Sequence, residues 1–272
     1  MVDAASSAAL TPLQWNGPAK LVRDTWLTFQ RQLLLLLRMP VRIVLTFVYP
    51  VTYMLIYAPM LKGALSAQGV TTYAEAFRVY VPGLLAYTAL VSGLITGFIL
   101  LAEVHSGIIE RSRVLPVSRA SLMLGRALRE VASLVFQGVV ITVLALFWGL
   151  AVGIGGLLLS YLLMALVALT SVSLSYAVTL KIRSARAVGS ILGTGSQPVM
   201  LVSGMLLPLT LAPLWMVDIA RVNPFYWATS GMRDLFAGSL GATAVWVSFA
   251  LMVPVTALAV AWCLRLFARE IR

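Results

Sequence analysis

The strongest constraint on this chain is a set of apolar runs that contain no Asp, Glu, His, Lys or Arg. The six runs are 19 to 24 residues long and lie at 43–61, 81–102, 131–152, 157–180, 187–208 and 243–264. A helix of about 20 residues spans the hydrocarbon core of a bilayer. Because backbone in lipid must satisfy its own hydrogen bonds, we predict an all-α membrane protein with six transmembrane helices.

Composition supports this class and excludes several others. Only 11% of the residues are charged, whereas soluble domains average about 25%. The net charge of +11 does not indicate nucleic-acid binding, because the basic residues lie at the ends of the apolar runs. A single cysteine, Cys263, and a single histidine, His105, exclude a disulfide framework and a His/Cys zinc site within this chain. We predict no metal site, no cofactor bound by this chain and no catalysis by it.

The basic residues also predict the orientation. If the N-terminus is cytoplasmic, 16 of the Lys and Arg residues fall on the cytoplasmic side and 4 on the outer side, which matches the positive-inside rule. Both termini are then cytoplasmic, with residues 1–19 as a tail and 20–272 as one transmembrane domain. Arg outnumbers Lys 17 to 3, as in GC-rich bacterial genomes, so we expect the cytoplasmic (inner) membrane of a bacterium.

Two segments outside the runs have helical features of their own. Residues 20–38 form an amphipathic pattern, with Trp26 and Phe29 on one side and Asp24, Arg31 and Arg38 on the other, which predicts an interfacial helix. The outer segment 209–242 is interrupted by prolines and rich in aromatic residues. We predict a re-entrant or interfacial helical hairpin there, and an ordinary amphipathic outer loop is the alternative.

The longest charged stretch, 103–130, separates the second run from the third. A charge at mid-membrane is costly, so this stretch must lie in water or at the interface. It predicts a short interfacial helix that breaks at Pro116, followed by a new helix that begins near Arg119 with Ser118 as its cap. Such an elbow between two membrane helices is suited to transmit motion from a cytoplasmic partner.

Polar residues at helical spacing mark two of the spans. Tyr49, Tyr53 and Tyr57 recur every four residues in the first, and Thr88, Ser92 and Thr96 do so in the second. These stripes predict either a path for a flat, amphipathic cargo or helix packing with hydroxyls bonded back to carbonyls. Gln197 precedes Pro198 at an expected kink in the fifth run, where it faces a substrate path or a dimer interface.

Two motifs resemble type-2 ATP-binding-cassette exporter permeases, and within them the daunorubicin-resistance group. The first motif comprises Glu103, Gly107, Ile109-Glu110-Arg111, Arg113, Leu115-Pro116-Val117-Ser118-Arg119 and Gly125-Arg126. The second spans 204–236 and includes Trp215 and the pair Asn223-Pro224, which places those three residues in the outer hairpin. Ser112 departs from the aromatic residue that often lies between the two arginines in this family, and His105 is a second departure. With its topology and length included, the resemblance covers nearly the whole chain.

The resemblance implies a half-transporter. Two permease copies or homologues would pair in the lipid membrane, with two copies of a separate ATPase subunit that binds ATP and Mg. Residues 20–38, with Trp26, Phe29, Arg31 and Arg38, would be the connecting helix, and 103–113 the cytoplasmic coupling helix. The residues assigned to coupling are Glu103, Gly107, Glu110, Arg111, Arg113, Leu115, Pro116 and Arg119. For these charged residues the alternative is a solvated interfacial face, and for Glu103 a helix cap or an ion pair with an arginine.

The predicted function is therefore that of a permease subunit in an ATP-driven exporter of a hydrophobic or amphipathic small molecule, such as an antibiotic or a lipid. Export of a lipid-linked glycan is an alternative with the same fold. A non-transporting membrane sensor or immunity subunit bound to an ATPase is an alternative from a different class, and a membrane enzyme is a third.

Overall fold

The computed structural model describes residues 18–64, 66, 70–106 and 119–270. Within these ranges the chain is helical and has no strand. In chain order the α-helices are α1 (Pro18–Leu37), α2 (Pro40–Ala64), α3 (Tyr73–His105), α4 (Arg119–Phe147), α5 (Ile154–Ile182), α6 (Ala185–Gly189), α7 (Ser196–Val202), α8 (Leu214–Ala220), α9 (Pro224–Phe236) and α10 (Thr243–Glu270).

Helix α3 lies at the centre of the bundle. In its most apolar stretch 72% of the residues are buried inside the protein, against 12% for α2. It packs against α2, α4, α5 and α9. Two hydroxyl groups of α5 join it to α3, because Ser175 Oγ donates to the Leu94 carbonyl at 2.6 Å and Thr179 Oγ1 donates to the Gly97 carbonyl at 3.2 Å. Small residues at this contact let the two backbones approach closely, as is usual in membrane helix pairs.

The start of α3 precedes the predicted run at 81 because the sequence supplies a helix cap further upstream. The backbone N–H of Glu75 donates to Thr72 Oγ1 at 3.3 Å, and Glu75 Oε2 accepts from the Thr72 N–H at 3.0 Å. This reciprocal capping box satisfies two backbone donors at the helix start. Helix α3 therefore carries charged residues, Glu75 and Arg78, in its first turns.

Helix α4 begins at Arg119, as predicted, and ends at Phe147, whereas the apolar run continues to residue 152. The earlier end has a local cause at Gly149, whose φ of +89° lies in the left-handed region. The N–H of Leu150 donates to the Ala145 carbonyl at 3.2 Å, and the N–H of Gly149 donates to the Leu146 carbonyl at 3.0 Å. These two bonds form a Schellman motif, which stops a helix regardless of the hydrophobicity of the residues that follow.

The prediction of six spanning helices is not confirmed. Among the described residues five helices are long and apolar enough to cross a membrane, namely α2, α3, α4, α5 and α10. The run at 187–208 instead forms α6, a π-helical turn at Ser190–Thr194 and α7. Pro198 has no N–H for the Thr194 carbonyl, and a proline ring crowds the carbonyl four residues before it. The chain widens into the π-turn at that point, so the run does not form one regular helix.

Candidate functional site

Charged side chains gather where α3 ends and α4 begins, in a group that we call the junction cluster: Glu103, Arg126, Arg129 and Glu130. Arg126 Nη1 donates to Glu103 Oε2, and Arg129 Nη2 lies 2.9 Å from Glu130 Oε2. These side chains are between 12% and 27% exposed. Removing one member of such a largely buried pair strands the other charge. The Glu103–Arg126 pair therefore ties together the two helix ends that flank residues 107–118.

Helix α1 packs along α4 beside the junction cluster, and the contact uses its small polar face. A Cβ added at Gly125 of α4 would lie 2.6 Å from the Cβ of Thr28 and 2.9 Å from the carbonyl oxygen of Thr25. Asp24 was expected to face water, and this placement is wrong, since it is 6% exposed. Small residues allow the closest helix approach, so the face that bears Thr25 and Thr28 meets Gly125 and buries Asp24 with it.

The other predicted residues of the connecting helix lie on the outside of α1. Trp26 is 52% exposed, and its ring centroid lies 5.2 Å from that of Phe29. Arg31 and Arg38 are exposed. Trp26, Arg31 and Arg38 thus lie on the exposed side of α1, whereas Phe29 is half-buried.

Most of the predicted coupling residues lie outside the described residues. They are Gly107, Glu110, Arg111, Arg113, Leu115 and Pro116. Arg119 is the first residue of α4, and only its backbone is described. Glu103 is the described member of the set, and of the roles that the sequence left open it forms the ion pair with an arginine.

A second group, the tyrosine cluster, lies between α2 and α3 and consists of Tyr49, Tyr53, Tyr57, Tyr80 and Tyr87. Along α2 the ring centroids of Tyr49 and Tyr53 are 4.3 Å apart and those of Tyr53 and Tyr57 are 5.3 Å apart. Tyr87 stacks on Tyr53 at 5.8 Å, and Tyr80 stacks on Tyr57 at 5.7 Å. The Tyr49 and Tyr87 hydroxyls share a hydrogen bond. The predicted stripe on α2 is therefore part of a continuous stack with hydroxyl groups along it.

The tyrosine cluster ends at a cavity of about 350 Å³ between α2, α7 and α8. Tyr57 forms part of its wall, and the other lining residues are apolar, among them Met200, Leu206 and Met216. A volume of this size lies within the range of small-molecule sites, roughly 300–1,000 Å³. Tyr57 is the member of the tyrosine cluster that borders this cavity, whereas Tyr80 and Tyr87 of α3 are buried behind α2.

The predicted polar stripe on α3 has a different environment. Thr88 and Thr96 are 3% and 2% exposed, and their hydroxyls donate to the carbonyls of Leu85 and Gly93 in the same helix. This geometry supports the packing alternative for these two residues. Ser92 is half-buried, and Gln197 of α7 is exposed.

Two polar side chains hold the segment after α7, since Arg233 joins it to α3 and Asn223 joins it to the end of α7. Arg233 of α9 donates from Nε to the Val79 carbonyl at 3.2 Å and from Nη2 to the Gly204 carbonyl at 2.5 Å. Burial lowers the pKa of its guanidinium to about 10, so it remains charged at neutral pH. Asn223 caps α9 by accepting from the Phe225 N–H at 3.0 Å, and its Nδ2 donates to Ser203 Oγ at 2.7 Å.

The segment predicted as an outer hairpin contains two helices, α8 and α9, which are joined by residues 221–223; its outer or re-entrant placement stays a prediction. Pro224 is the first residue of α9, a position where a missing N–H costs nothing. Trp215 of α8 is 64% exposed. Helix α9 is thus held to α3 by hydrogen bonds, whereas α8 has an exposed aromatic side chain, Trp215.

Asn223→Ala should lower the stability of this segment by about 2 kcal/mol, since it removes a helix cap and at least one donated hydrogen bond. Thermal unfolding of the detergent-solubilised protein would measure the loss. Asn223→Asp is the matched control, because a carboxylate still accepts from the Phe225 N–H but cannot donate. Its loss should be smaller than that of Asn223→Ala, and equal melting temperatures for wild type and Asn223→Ala would contradict this role.

Comparison with known protein families identifies the family to which this chain belongs. Residues 23–237 match the family described as ABC-2 type transporter. The chain belongs to the ABC-2 type transporter family. No curated protein gives a significant match to the sequence. An ABC-2 protein is the permease subunit of an ATP-binding-cassette transporter, a multi-pass membrane protein that works with an ATP-hydrolysing subunit.

Two residues that hold this ABC-2 permease together were not singled out from the sequence. Arg233 lies within the second motif, 204–236, but no contact was predicted for it, and its side chain joins α9 to α3. Gly83 of α3 lies under the same turn, and a Cβ there would be 2.0 Å from the Met205 carbonyl oxygen. An arginine in an amphipathic helix can be recognised from the sequence as a candidate for a polar contact. A glycine within an apolar run cannot be recognised as a close-packing position until the fold shows which backbone lies against it.

Proposed function

We propose that this ABC-2 permease is the membrane subunit of a bacterial exporter that moves a flat, amphipathic small molecule out across the cytoplasmic membrane. The tyrosine cluster is the observation that supports a flat, amphipathic cargo. Tyr49, which is 44% exposed, and Tyr57, which borders the cavity, offer aromatic rings that carry hydroxyl groups to the same molecule, and the buried Tyr80 and Tyr87 support them from behind. The resemblance to the daunorubicin-resistance group supports the same cargo class and the direction of transport.

The coupling route in this proposal runs through the junction cluster. Both termini and residues 107–118 face the cytoplasm, where Glu110, Arg111 and Arg113 contact the ATPase by charge-assisted hydrogen bonds. ATP-driven closure of the ATPase pair pushes on this segment. The Glu103–Arg126 pair then passes the motion to α3 and α4 together, since it ties their ends to each other. Helix α1 moves with α4 because Gly125 and Thr28 are in close contact.

The working unit in this proposal contains two permease copies and two ATPase subunits. Exposed apolar side chains on α2, among them Val44, Leu45 and Met60, which are at least 62% exposed, provide surface for the second copy. Helices α8 and α9 form the outer re-entrant hairpin, with Trp215 at the interface. Under this arrangement the tyrosine cluster lies close to the seam between copies, along the path from α2 to the cavity at Tyr57.

Tyr53→Leu tests the cargo path, because Tyr53 contacts three rings of the cluster and stacks on two of them, Tyr57 and Tyr87. In inside-out vesicles that contain the permease and its ATPase, we expect the apparent affinity for a planar aromatic dye to fall about fivefold, equivalent to roughly 1 kcal/mol of lost aromatic contact. ATP-dependent dye uptake over a range of dye concentrations measures this. Tyr226→Leu is the matched control, since Tyr226 contacts Trp227 of α9 instead. An unchanged affinity in Tyr53→Leu, or an equal loss in both variants, would contradict the assignment.

A non-transporting sensor subunit is the second candidate, and it makes a different prediction. It also binds an ATPase and carries a junction cluster, but it moves no cargo. Dye uptake that stays at background in wild-type vesicles with active ATPase, for planar, lipid-like and glycan probes alike, would favour the sensor.

A further inference from the structure

A small cavity lies beside the junction cluster, where α1, α3, α4 and α5 meet, and we call it the junction cavity. Its volume is about 20 Å³, and a polar site of roughly 10–15 Å³ is enough for one water molecule. The polar side chains in its wall come from all four helices and are Gln32, Thr96, Glu103, Arg126, Arg129 and Tyr176. The junction cavity therefore has room for a water molecule but is too small for an organic ligand.

Two of the lining side chains have polar groups that the protein itself does not bond. Tyr176 of α5 is 4% exposed, and its hydroxyl has no hydrogen-bond partner among the described residues. Gln32 of α1 is half-buried, and its side-chain amide likewise has no partner among them. A buried polar group without a partner lowers stability. Because both side chains line the same small cavity, one polar ligand can contact the hydroxyl and the amide together.

The charges around the junction cavity favour a neutral ligand over an ion. Glu103 pairs with Arg126, and Arg129 pairs with Glu130, so the charges of the junction cluster cancel. A cation in the cavity would meet two guanidinium groups, and an anion would meet the Glu103 carboxylate. Water donates as well as accepts, and a buried water typically makes about three hydrogen bonds. The mixed wall of donors and acceptors therefore suits water.

We propose that the junction cavity binds one water molecule, through which Gln32 and Tyr176 position the Glu103–Arg126 pair. The water donates to the Glu103 carboxylate, which has a second oxygen besides the one that accepts from Arg126. It accepts from the Tyr176 hydroxyl and from the Gln32 amide. The water thus joins α1 and α5 to the ends of α3 and α4. The water site concerns the permease alone, whereas its part in coupling rests on the proposed function.

Hydroxyl-radical labelling by X-ray radiolysis of the purified permease, in a maltoside detergent, tests the water site. Radicals form from water where it lies, so a buried tyrosine beside a bound water is modified. We expect Tyr176 to be modified several-fold faster than Tyr80, which is 1% exposed and donates to the Tyr53 carbonyl at 3.3 Å. Gln32→Met removes one hydrogen-bonding group and should slow the modification of Tyr176, but not that of Tyr73, which is 48% exposed. Mass spectrometry of the digested protein measures the three rates.

The positioning role is tested by the amount of dye taken up for each ATP hydrolysed, in proteoliposomes with the partner ATPase. Tyr176→Phe should lower this ratio about fivefold, as expected for the loss of one hydrogen bond. Tyr161→Phe is the matched control, because Tyr161 lies nearer the start of the same helix and does not line the junction cavity. Adding Gln32→Met to Tyr176→Phe should lower the ratio little further, since both side chains act through the same water. Independent structural losses would instead combine additively in free energy.

Three results would overturn the proposal. The first is modification of Tyr176 that is no faster than that of Tyr80. The second is modification of Tyr176 that changes when gluconate replaces chloride, which would identify an anion in the cavity. The third is a coupling ratio of a folded Tyr176→Phe permease that equals that of Tyr161→Phe. If the wild type takes up no dye although Tyr176 is modified, the export function and the positioning role are both wrong, and the water site stands.

Discussion

Gly83→Ala should lower the apparent Tm of the permease by on the order of 10 °C, from a loss of about 3 kcal/mol. The added Cβ would lie 2.0 Å from the Met205 carbonyl oxygen and 3.1 Å from Arg233 Nη2. Both neighbours are held in place by hydrogen bonds. Arg233 donates to the carbonyl of Gly204, the residue before Met205, and also to the carbonyl of Val79 in α3. The clash therefore pushes the turn after α7 away from α3 and breaks the arginine contacts.

The control for this variant is Gly63→Ala, since a Cβ at Gly63 of α2 meets nothing within 4 Å. Alanine is the better helix former by about 0.5–1 kcal/mol, so Gly63→Ala should melt at the same temperature as the wild type or slightly above it. Thermal unfolding in one detergent, followed by intrinsic fluorescence and by light scattering, compares the three proteins. A Gly83→Ala protein with the same melting temperature as the wild type would show that the turn after α7 does not pack against α3 as described.

Glu103→Arg should reduce ATP-driven transport at least about tenfold, because it places two like charges at the flanks of the segment that we propose couples to the ATPase. Glu103 and Arg126 are 27% and 16% exposed, so solvent screens part of the repulsion and the bundle as a whole should stay folded. The expected defect lies in transmission from residues 107–118 to α3 and α4. ATP hydrolysis and dye uptake, measured on the same proteoliposomes with the partner ATPase, would show hydrolysis without the matching uptake.

The exchanged double variant Glu103→Arg with Arg126→Glu separates the ion pair from the identity of either residue. It restores opposite charges at the same two helix ends, so transport should recover to within a few-fold of the wild type. Arg129 and Glu130 remain in place in every variant. A double variant as defective as Glu103→Arg alone would mean that Glu103 acts through the ATPase directly and not through Arg126.

The sequence predicts much of this fold because lipid leaves few choices. Charge-free runs of sufficient length must be helices, and five of the six runs correspond to the long helices α2, α3, α4, α5 and α10. Helix caps and glycines then determine where the helices begin and end, which hydropathy alone does not predict. Thr72 starts α3 early and Gly149 stops α4 early. The sixth run, 187–208, does not form one long helix because it contains Pro198, which disrupts regular helix geometry.

The candidate sites were partly predictable. Spacing of four residues places Tyr49, Tyr53 and Tyr57 on one face of α2, but nothing local indicates that α3 adds Tyr80 and Tyr87 to the stack. The amphipathic pattern of α1 gave the wrong position for Asp24, because the pattern depends only on polarity. The face that is buried against α4 is instead the one with small side chains. Long-range partners such as Gln137 for Thr46 depend on which helices meet, and a single sequence does not contain that information.

The most direct test of the central claim is purification of the permease from its native membrane in mild detergent, followed by an assay of the same material for ATP hydrolysis. The account predicts a stoichiometric, soluble ATPase subunit in the preparation and vanadate-sensitive turnover of ATP. The Glu103→Arg permease should still co-purify with that subunit, because the proposed contact residues are Glu110, Arg111 and Arg113 and the substitution leaves them unchanged. A permease that purifies alone, with no ATP hydrolysis in the preparation, would contradict the assignment of this chain to an ATP-driven exporter.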